Sequence, residues 1–274
     1  MKRKIALLLL VSIALVITVI AGFQLLLPKS QADEAAISAA NNLYETGHYS
    51  EAVQIYEQLI DQGYRDSAIF YNLGNTYFQQ KDYARAILNY RRASLLEPRD
   101  QHIQDNLELA QERANIEMLV IAPGPLSVTA DLTGRWLNLN ETAILATILW
   151  FIAGLLFFSW RLFSNEDSAS TIRNVGIGFS FLLLLVMVSL GGRLLIEKNN
   201  PEGIVVAPVI ALRDEPGDQY ATGVEIKAGA PVDLLEQRGD WIHLSGPGDS
   251  FNGWVPASSI ETVASSPGEI DLKI

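Results

Sequence analysis

The sequence predicts a multi-domain membrane protein that combines an all-α repeat array, a transmembrane helical hairpin and a small all-β barrel. Three observations lead to this fold class. Apolar stretches long enough to cross a bilayer interrupt a chain of 274 residues. Near the amino terminus a helical pattern returns with a period of about 34 residues. After residue 203 the pattern changes to short alternating strands separated by Gly, Pro and Asp turns.

Composition excludes several classes of function. The net charge of −11 argues against a basic face for nucleic acid. The sequence has no cysteine, so disulfides, thiolate catalysis and cysteine-based metal sites are excluded. It also lacks a Gly-rich phosphate loop and a Gly-x-Ser-x-Gly elbow. We therefore expect a protein without enzymatic activity that uses no cofactor and binds no nucleic acid.

Residues 1–32 are typical of an export signal. Lys2, Arg3 and Lys4 precede a long apolar run, and small residues follow it up to Ala32. Because this run is longer than the usual signal core, two outcomes remain open: cleavage after Ala32, or retention as a membrane anchor. Both outcomes place the following residues outside the cytoplasm.

Two further apolar segments predict membrane spans at residues 142–162 and 174–196, after a linker at 119–141. Each has an uncharged core of about the length needed to cross a hydrocarbon layer of roughly 30 Å. The alternative is a pair of core helices buried inside a soluble domain. No other segment has a matching hydrophobicity that would bury them, which favours the membrane interpretation.

Charge predicts the orientation of this hairpin. The connecting loop at 163–173 has Arg161 and Arg173 near its ends, and basic residues beside a span favour the cytoplasm. The repeat region and the carboxyl-terminal region are then both extracytoplasmic, and both carry an acidic excess. Arg193, at the outer end of the second span, opposes this orientation weakly.

Residues 33–118 contain the repeat. A shift of about 34 residues places Tyr49 on Tyr83 and Tyr56 on Tyr90. These residues resemble the tetratricopeptide family, with units at 33–66 and 67–100 and a capping helix that runs to residue 118. The second unit carries the family's residues at the family's spacing: Phe70, Leu73, Gly74, Tyr77, Ala86, Tyr90, Ala93 and Pro98. The first unit is degenerate in its first helix.

The resemblance implies a concave groove lined by the first helix of each unit, where a partner protein docks. The candidate groove residues are Asn41, Tyr44, Tyr71, Asn72, Asn75, Phe78 and Gln79. We expect Asn41 and Asn75 to hydrogen-bond an extended backbone. The basic residues of a carboxylate clamp are absent, since Ile37 and Tyr71 stand where lysines would be needed. The alternative is that all these residues are only solvated or packed.

Residues 204–263 resemble a bacterial SH3-like barrel through the stretches "RGDWIHL" and "NGWVP". The resemblance implies contacts with cell-wall polymers or peptides, and the candidate residues are Arg213, Tyr220, Trp241 and Trp254. The alternative is that the two tryptophans only pack the barrel. The acidic loop "RDEPGD" is either a cation site or, more simply, a solvated turn. Residues 264–274 are expected to be a flexible tail.

The order of these modules resembles the BatE-type proteins of bacterial aerotolerance (Bat) operons, and so does the stretch "YNLGNTYFQQKDYARAILNYRRASLLEPRDQHIQDNLELA". The resemblance implies a multi-pass protein of the bacterial plasma (inner) membrane without enzymatic activity. It also implies partners: membrane proteins with von Willebrand A-type domains and a MoxR-type ATPase system.

Two hypotheses of function therefore remain open, both in contact with the lipid bilayer. In the first, the chain is a scaffold whose repeats dock a partner domain. In the second, it binds or senses the cell wall, and the barrel contacts peptidoglycan. A barrel without any ligand, which only supports the fold, is compatible with the sequence as well.

Overall fold

A computed structural model of the chain describes five ranges of residues: 32–116, 125–163, 166–199, 201–217 and 221–263. The predicted export signal and the predicted flexible tail lie outside these ranges, apart from Ala32. The chain divides into two compact units. Among the described residues, one unit contains residues 140–188, and the other combines those of 32–139 with those of 189–263.

Five helices form the amino-terminal array: α1 (Ala32–Glu45), α2 (Tyr49–Asp61), α3 (Ser67–Gln79), α4 (Tyr83–Leu96) and α5 (Gln101–Ala114). The two helix pairs and the additional helix confirm a tetratricopeptide-like helical region. Asp66, Asp82 and Asp100 cap the amino ends of α3, α4 and α5 by accepting backbone N–H groups. Asn115 ends α5 in a left-handed conformation, so this helix is shorter than the expected segment up to residue 118.

Close approach of α3 and α4 depends on Gly74. A methyl group at this position would lie 2.8 Å from two ring carbons of Tyr90. Tyr90 itself is almost completely buried in the array, together with Tyr56 and Leu73. Packing therefore requires glycine at position 74, because the Tyr90 ring occupies the space that a side chain would need.

Two long apolar helices follow the array, α7 (Leu139–Phe163) and α8 (Glu166–Asn199), and residues 189–199 of α8 belong to the same unit as the array. The short helix that precedes them, α6 (Pro125–Gly134), interrupts the predicted linker. Within the described residues, two stretches are long and apolar enough to span a membrane, at Leu139–Arg161 and Ser170–Ile196. Because α8 begins at Glu166, most of the expected loop at 163–173 is helical.

The helices α7 and α8 contact each other along part of their length. Ala146 and Leu149 form a buried cluster with Val186, and Gly176 approaches Leu156. Large apolar side chains elsewhere on both helices are exposed: Ile148, Trp150, Phe157, Ile177, Phe181 and Leu184. A core helix of a soluble domain would bury these faces, so the structure disfavours the buried-core alternative.

Seven antiparallel strands form the carboxyl-terminal domain: β1 (Glu202–Val205), β2 (Val209–Arg213), β3 (Ala221–Lys227), β4 (Pro231–Arg238), β5 (Trp241–Ser245), β6 (Asn252–Pro256) and β7 (Ile260–Thr262). Their order in the sheet is β3-β2-β6-β5-β4-β1-β7. Alternate residues such as Leu212, Leu234 and Leu244 point into one core. This antiparallel, all-strand domain is consistent with the predicted SH3-like barrel.

Candidate functional site

Asn41, a candidate groove residue, joins the first repeat to the second. Its side-chain oxygen accepts a hydrogen bond from the Tyr56 hydroxyl at 2.5 Å and another from the Asn72 amide at 3.1 Å. Tyr56 belongs to α2 of the same repeat, whereas Asn72 belongs to α3 of the next. The amide oxygen that was expected to bind a partner's backbone is therefore used inside the array.

Asn75 has the same arrangement one repeat later. Its oxygen accepts from the Tyr90 hydroxyl at 2.7 Å and from the Asn106 amide at 2.9 Å. Asn106 also donates to the Tyr71 hydroxyl at 3.0 Å. Each partner of Asn75 lies about one repeat period beyond the corresponding partner of Asn41. Asparagine and tyrosine thus form a hydrogen-bond ladder that connects α1 to α3 and α3 to α5.

The role of Asn106 was missed from the sequence, although a signal was present. Asn106 follows Asn72 at the spacing that relates Asn75 to Asn41, so the period extends into the capping helix. Of the expected groove residues, Asn41, Asn72, Asn75 and Tyr71 therefore belong to this ladder. These contacts are structural, and partner binding by the same residues stays a prediction.

Burial of the ladder's tyrosines perturbs their titration. Loss of solvation raises the pKa of the Tyr56 hydroxyl to about 12, and its hydrogen bond with Asn72 offsets part of this rise. Burial likewise raises the pKa of Tyr90 and of Tyr77 well above the ordinary value. The Tyr77 hydroxyl donates a short hydrogen bond to the carboxylate of Glu57. All three hydroxyls thus remain protonated donors at neutral pH.

The remaining groove candidates keep exposed surface. Tyr44 packs against Tyr49 with ring centroids 5.7 Å apart, and Phe78 packs edge-on against Tyr83 at 5.3 Å. The two pairs are equivalent under the repeat period, and both Tyr44 and Phe78 are only half-buried. Gln79, beside Phe78, is exposed. An aromatic surface with a neighbouring amide can bind an apolar or extended peptide segment.

The barrel packs directly against the second repeat, a contact that the sequence did not predict. Three arginines of α4 reach the barrel. The Arg91 guanidinium contacts both carboxylate oxygens of Glu202, with Nε 2.9 Å from Oε1. Arg85 Nε lies 3.2 Å from Glu261 Oε1. Arg92 donates to the backbone oxygen of Thr262 at 2.7 Å.

Apolar contacts accompany these polar ones. Ile204 and Val263 of the barrel belong to the same buried cluster as the repeat residues Ile87 and Leu107. A methyl group at Gly229 would lie 2.9 Å from Ile87 Cδ1, which shows how closely the barrel approaches α4. Burial also lowers the pKa of Arg92, although nearby acidic groups oppose this effect. The repeats and the barrel therefore share one core and form one unit.

Three of the four candidate residues of the barrel lie together on neighbouring strands. Arg213 on β2 lies opposite Trp254 on β6, and its guanidinium carbon is 5.0 Å from the ring centroid of Trp241. His243 stacks on Trp254 with centroids 4.9 Å apart, and Arg238 lies 4.7 Å from the same ring. The fourth candidate, Tyr220, lies outside the described residues.

The two tryptophans differ in exposure. Trp254 is only 5% exposed, because the barrel packs around it. Trp241 is half-buried, and thus it retains a surface that a ligand can contact. The Trp254 ring is stacked on His243 and lies beneath Arg238, so packing within the barrel accounts for its position. Ligand contact through Trp241 and Trp254 stays a prediction.

The acidic loop after β2 is held by its neighbour Arg213, whose Nη1 donates to the Gly217 oxygen at 3.2 Å. Asp214 and Glu215 are exposed, and Asp218 lies outside the described residues. Within the described parts of the chain, no group of three His, Asp or Glu residues is placed to hold a metal ion.

Comparison with known families supports both soluble modules. A family model described as tetratricopeptide repeat matches residues 37–97. A second, described as bacterial SH3 domain, matches residues 206–261. No curated protein matches the chain. The chain therefore contains a tetratricopeptide region, which indicates protein–protein interaction, and a bacterial SH3 domain, which suggests a role in the bacterial envelope.

Proposed function

We propose that this chain is a membrane-anchored, non-enzymatic scaffold whose tetratricopeptide repeats dock a partner protein. The observation that carries the proposal is the placement of the barrel. Its ion pairs engage α4 through Arg85 and Arg91, and Tyr44, Phe78 and Gln79 on the first helices keep exposed surface. The face on which this family binds its partners is thus still accessible.

The contact between α4 and the barrel also supports a transmembrane hairpin formed by α7 and α8. Arg91 and Glu202 can meet only if the segments before and after the apolar helices lie on one side of the membrane. Two crossings, α7 and α8, return the chain to that side. The basic residues Arg161 and Arg173 at the ends of the short connection favour the cytoplasm for it. Both modules are then extracytoplasmic, on the outer face of a bacterial plasma membrane.

The partner class follows from the resemblance to BatE-type proteins. That group's module order implies a membrane complex with von Willebrand A-type proteins and a MoxR-type ATPase system. The groove composition suits a neutral segment, because Tyr44, Phe78 and Gln79 offer aromatic surface and an amide rather than a basic clamp. We therefore propose an extended, uncharged segment of such a partner as the docking element.

Matched glutamine variants test this function. Gln79→Arg adds bulk and charge beside Phe78 without touching the ladder, whereas Gln80→Arg makes the same change at the carboxyl end of α3. We expect Gln79→Arg to abolish copurification of the von Willebrand A-type protein from the native membrane. The Gln80→Arg control should retain it. Equal retention by both variants would contradict docking at this face.

A second candidate is binding of peptidoglycan through the barrel, favoured by the half-buried Trp241 beneath the Arg213 guanidinium. Trp241→Ala should then abolish cosedimentation of the chain with purified sacculi. Val209→Ala, at an exposed position of β2, serves as the control. If wild type does not cosediment, this second candidate is rejected while the scaffold proposal is unaffected.

A further inference from the structure

An exposed apolar strip lies between the repeat array and α7 in the sequence. Val128 and Leu132 follow each other at helical spacing on α6, and Trp136 follows in the turn after this helix. Their exposed fractions are 47%, 52% and 69% respectively. We call Val128, Leu132 and Trp136 the α6 strip. Such an accumulation of exposed apolar surface requires an explanation, particularly for a tryptophan.

The opposite side of α6 is fixed to the carboxyl-terminal part of α8. Ala130 is buried, and its backbone oxygen accepts a hydrogen bond from the Ser189 hydroxyl at 3.1 Å. The hydroxyl oxygens of Thr133 and Ser189 are 2.8 Å apart. Ser189 is completely buried by these contacts. Helix α6 therefore has a packed side, and the strip is the side that remains uncovered.

These contacts locate α6 along α8. Ser189 lies inside the apolar stretch Ser170–Ile196. At about 1.5 Å per residue, it is roughly 10 Å from the end of that stretch. One turn later, Arg193 donates to the backbone oxygen of Leu137 at 3.0 Å. The segment from α6 to Leu137 thus lies beside the last turns of the candidate span, where hydrocarbon gives way to headgroups.

The repeat array holds the same segment from its other side. Arg99 Nη1 donates to the backbone oxygen of Trp136 at 2.6 Å, and the Asn138 amide donates to the oxygen of Leu96 at 2.9 Å. The backbone of Trp136 is therefore fixed while its ring is exposed. A fixed backbone with an exposed indole differs from a loose linker whose side chains are exposed by chance.

We propose that the α6 strip inserts into the headgroup–acyl boundary of the outer leaflet, so that α6 is an interfacial helix that seats the repeat array on the membrane. This inference rests on the membrane anchorage in the proposed function. Tryptophan prefers this boundary, where its ring lies at the level of the headgroups. The strip belongs to the same unit as the carboxyl-terminal turns of α8, where Leu194 and Leu195 are also exposed. Its place beside the end of a candidate span favours lipid over a protein as its occupant.

Charge indicates which lipid is needed. In sequence, the α6 segment carries one acidic residue, Asp131, and Arg135 follows it, so the two charges cancel. A polybasic segment that depends on anionic lipid has several lysines or arginines instead. Insertion of the α6 strip should therefore depend on apolar area and occur equally well in a zwitterionic bilayer.

The absence of cysteine from the sequence permits a direct test on the full chain. Val128→Cys, labelled with an environment-sensitive fluorophore, is reconstituted into zwitterionic phosphatidylcholine vesicles that contain doxyl-labelled lipids. Two labelled variants are controls: Val209→Cys at an exposed position of the barrel, and Ile148→Cys at an exposed position within the candidate span of α7. Leu132→Cys repeats the measurement at a second position of the strip.

We expect blue-shifted emission at residues 128 and 132, with about twofold or stronger quenching by shallow doxyl groups than by deep ones. Residue 148 should be quenched by deep groups, and residue 209 by neither. If residue 128 behaves as residue 209 does while residue 148 is quenched, the inference is overturned and membrane anchorage stands. A blue shift without lipid quenching would show a protein cover and also overturn it. Absence of quenching at residue 148 would reject the anchorage itself.

Discussion

Arg91 and Glu202 are 111 residues apart in the chain, yet the guanidinium of one contacts both carboxylate oxygens of the other, at 2.9 and 3.0 Å. The two apolar helices lie between them in sequence. This ion pair therefore joins the segment before those helices to the segment after them. With the shared apolar cluster of Ile204 and Ile87, it makes the repeats and the barrel a single unit.

We predict that this ion pair contributes modestly to the stability of the combined unit. Both side chains are partly exposed, so a double-mutant cycle of Arg91→Ala and Glu202→Ala should give a coupling of about 0.5–1 kcal/mol. Unfolding in detergent by denaturant, followed by tryptophan fluorescence, measures it. Arg113→Ala, at an exposed position of α5, should show no coupling to Glu202→Ala. A coupling of zero for the Arg91 pair would contradict the interface.

The asparagine ladder should be a major determinant of the array's stability. Asn75→Ala removes the acceptor of the buried Tyr90 hydroxyl and of Asn106, which should cost about 1–3 kcal/mol. Thermal unfolding by circular dichroism at the helical signal tests this. As a control, Asn42→Ala, at the exposed position next to Asn41, should change the midpoint little. Equal midpoints for the two variants would contradict a structural role for Asn75.

Substitution at Gly74 should be destabilising for a steric reason. The added methyl group of Gly74→Ala would lie 2.8 Å from the Tyr90 ring, and overpacking of this kind costs about 1–3 kcal/mol. Gly178→Ala in α8 adds the same methyl group into open space and is the control. Thermal unfolding measures both variants. We expect a lower midpoint for Gly74→Ala and an unchanged midpoint for Gly178→Ala.

The barrel should become less stable as the pH falls below about 6.5. Desolvation lowers the pKa of His243 in the folded chain, although Glu236 opposes the shift. In the unfolded chain the imidazole titrates near 6.5, so below this pH the unfolded state binds the additional proton first. Stability that is present above pH 6.5 is therefore progressively lost on acidification.

A pH series of thermal unfolding tests this titration. His243→Phe preserves a ring that can stack on Trp254 and removes the imidazole. The variant should therefore lose part of the slope of stability against pH that wild type shows below about pH 6.5. Wild type, measured in the same series, gives the reference slope. An unchanged slope in His243→Phe would show that other groups cause the acid sensitivity.

The sequence predicted those parts of the fold that depend on local pattern. The period that relates Tyr56 to Tyr90 indicated both helical units, because each position meets the same neighbours in each repeat. Alternation around Leu234 and Leu244 indicated paired strands. The caps at Asp66 and Asp100 are likewise local, since each side chain bonds to backbone a few residues away.

Contacts between modules were not predictable in this way. Arg91 and Glu202 belong to separate patterns, and neither pattern specifies the other as its partner. The role of Asn75 was missed for a related reason: an asparagine on a groove face satisfies its hydrogen bonds either with a ligand or with the next repeat. The folded positions of Tyr90 and Asn106 show that Asn75 bonds inside the array. Helix α6 lies in the segment that was expected to be a linker, and its β-branched residues Val128, Thr129 and Thr133 have low helix propensity.

We propose above that the repeats and the barrel lie together outside the membrane. The accessibility of single cysteines to a membrane-impermeant reagent tests this placement most directly. Glu51→Cys reports on the repeats, Ser258→Cys on the barrel, and Ser170→Cys on the first residue of the second candidate span, next to the connection; all three positions are exposed. In intact spheroplasts, a membrane-impermeant maleimide should label residues 51 and 258, and residue 170 only after permeabilisation. Labelling of residue 51 from outside with protection of residue 258 would contradict the account.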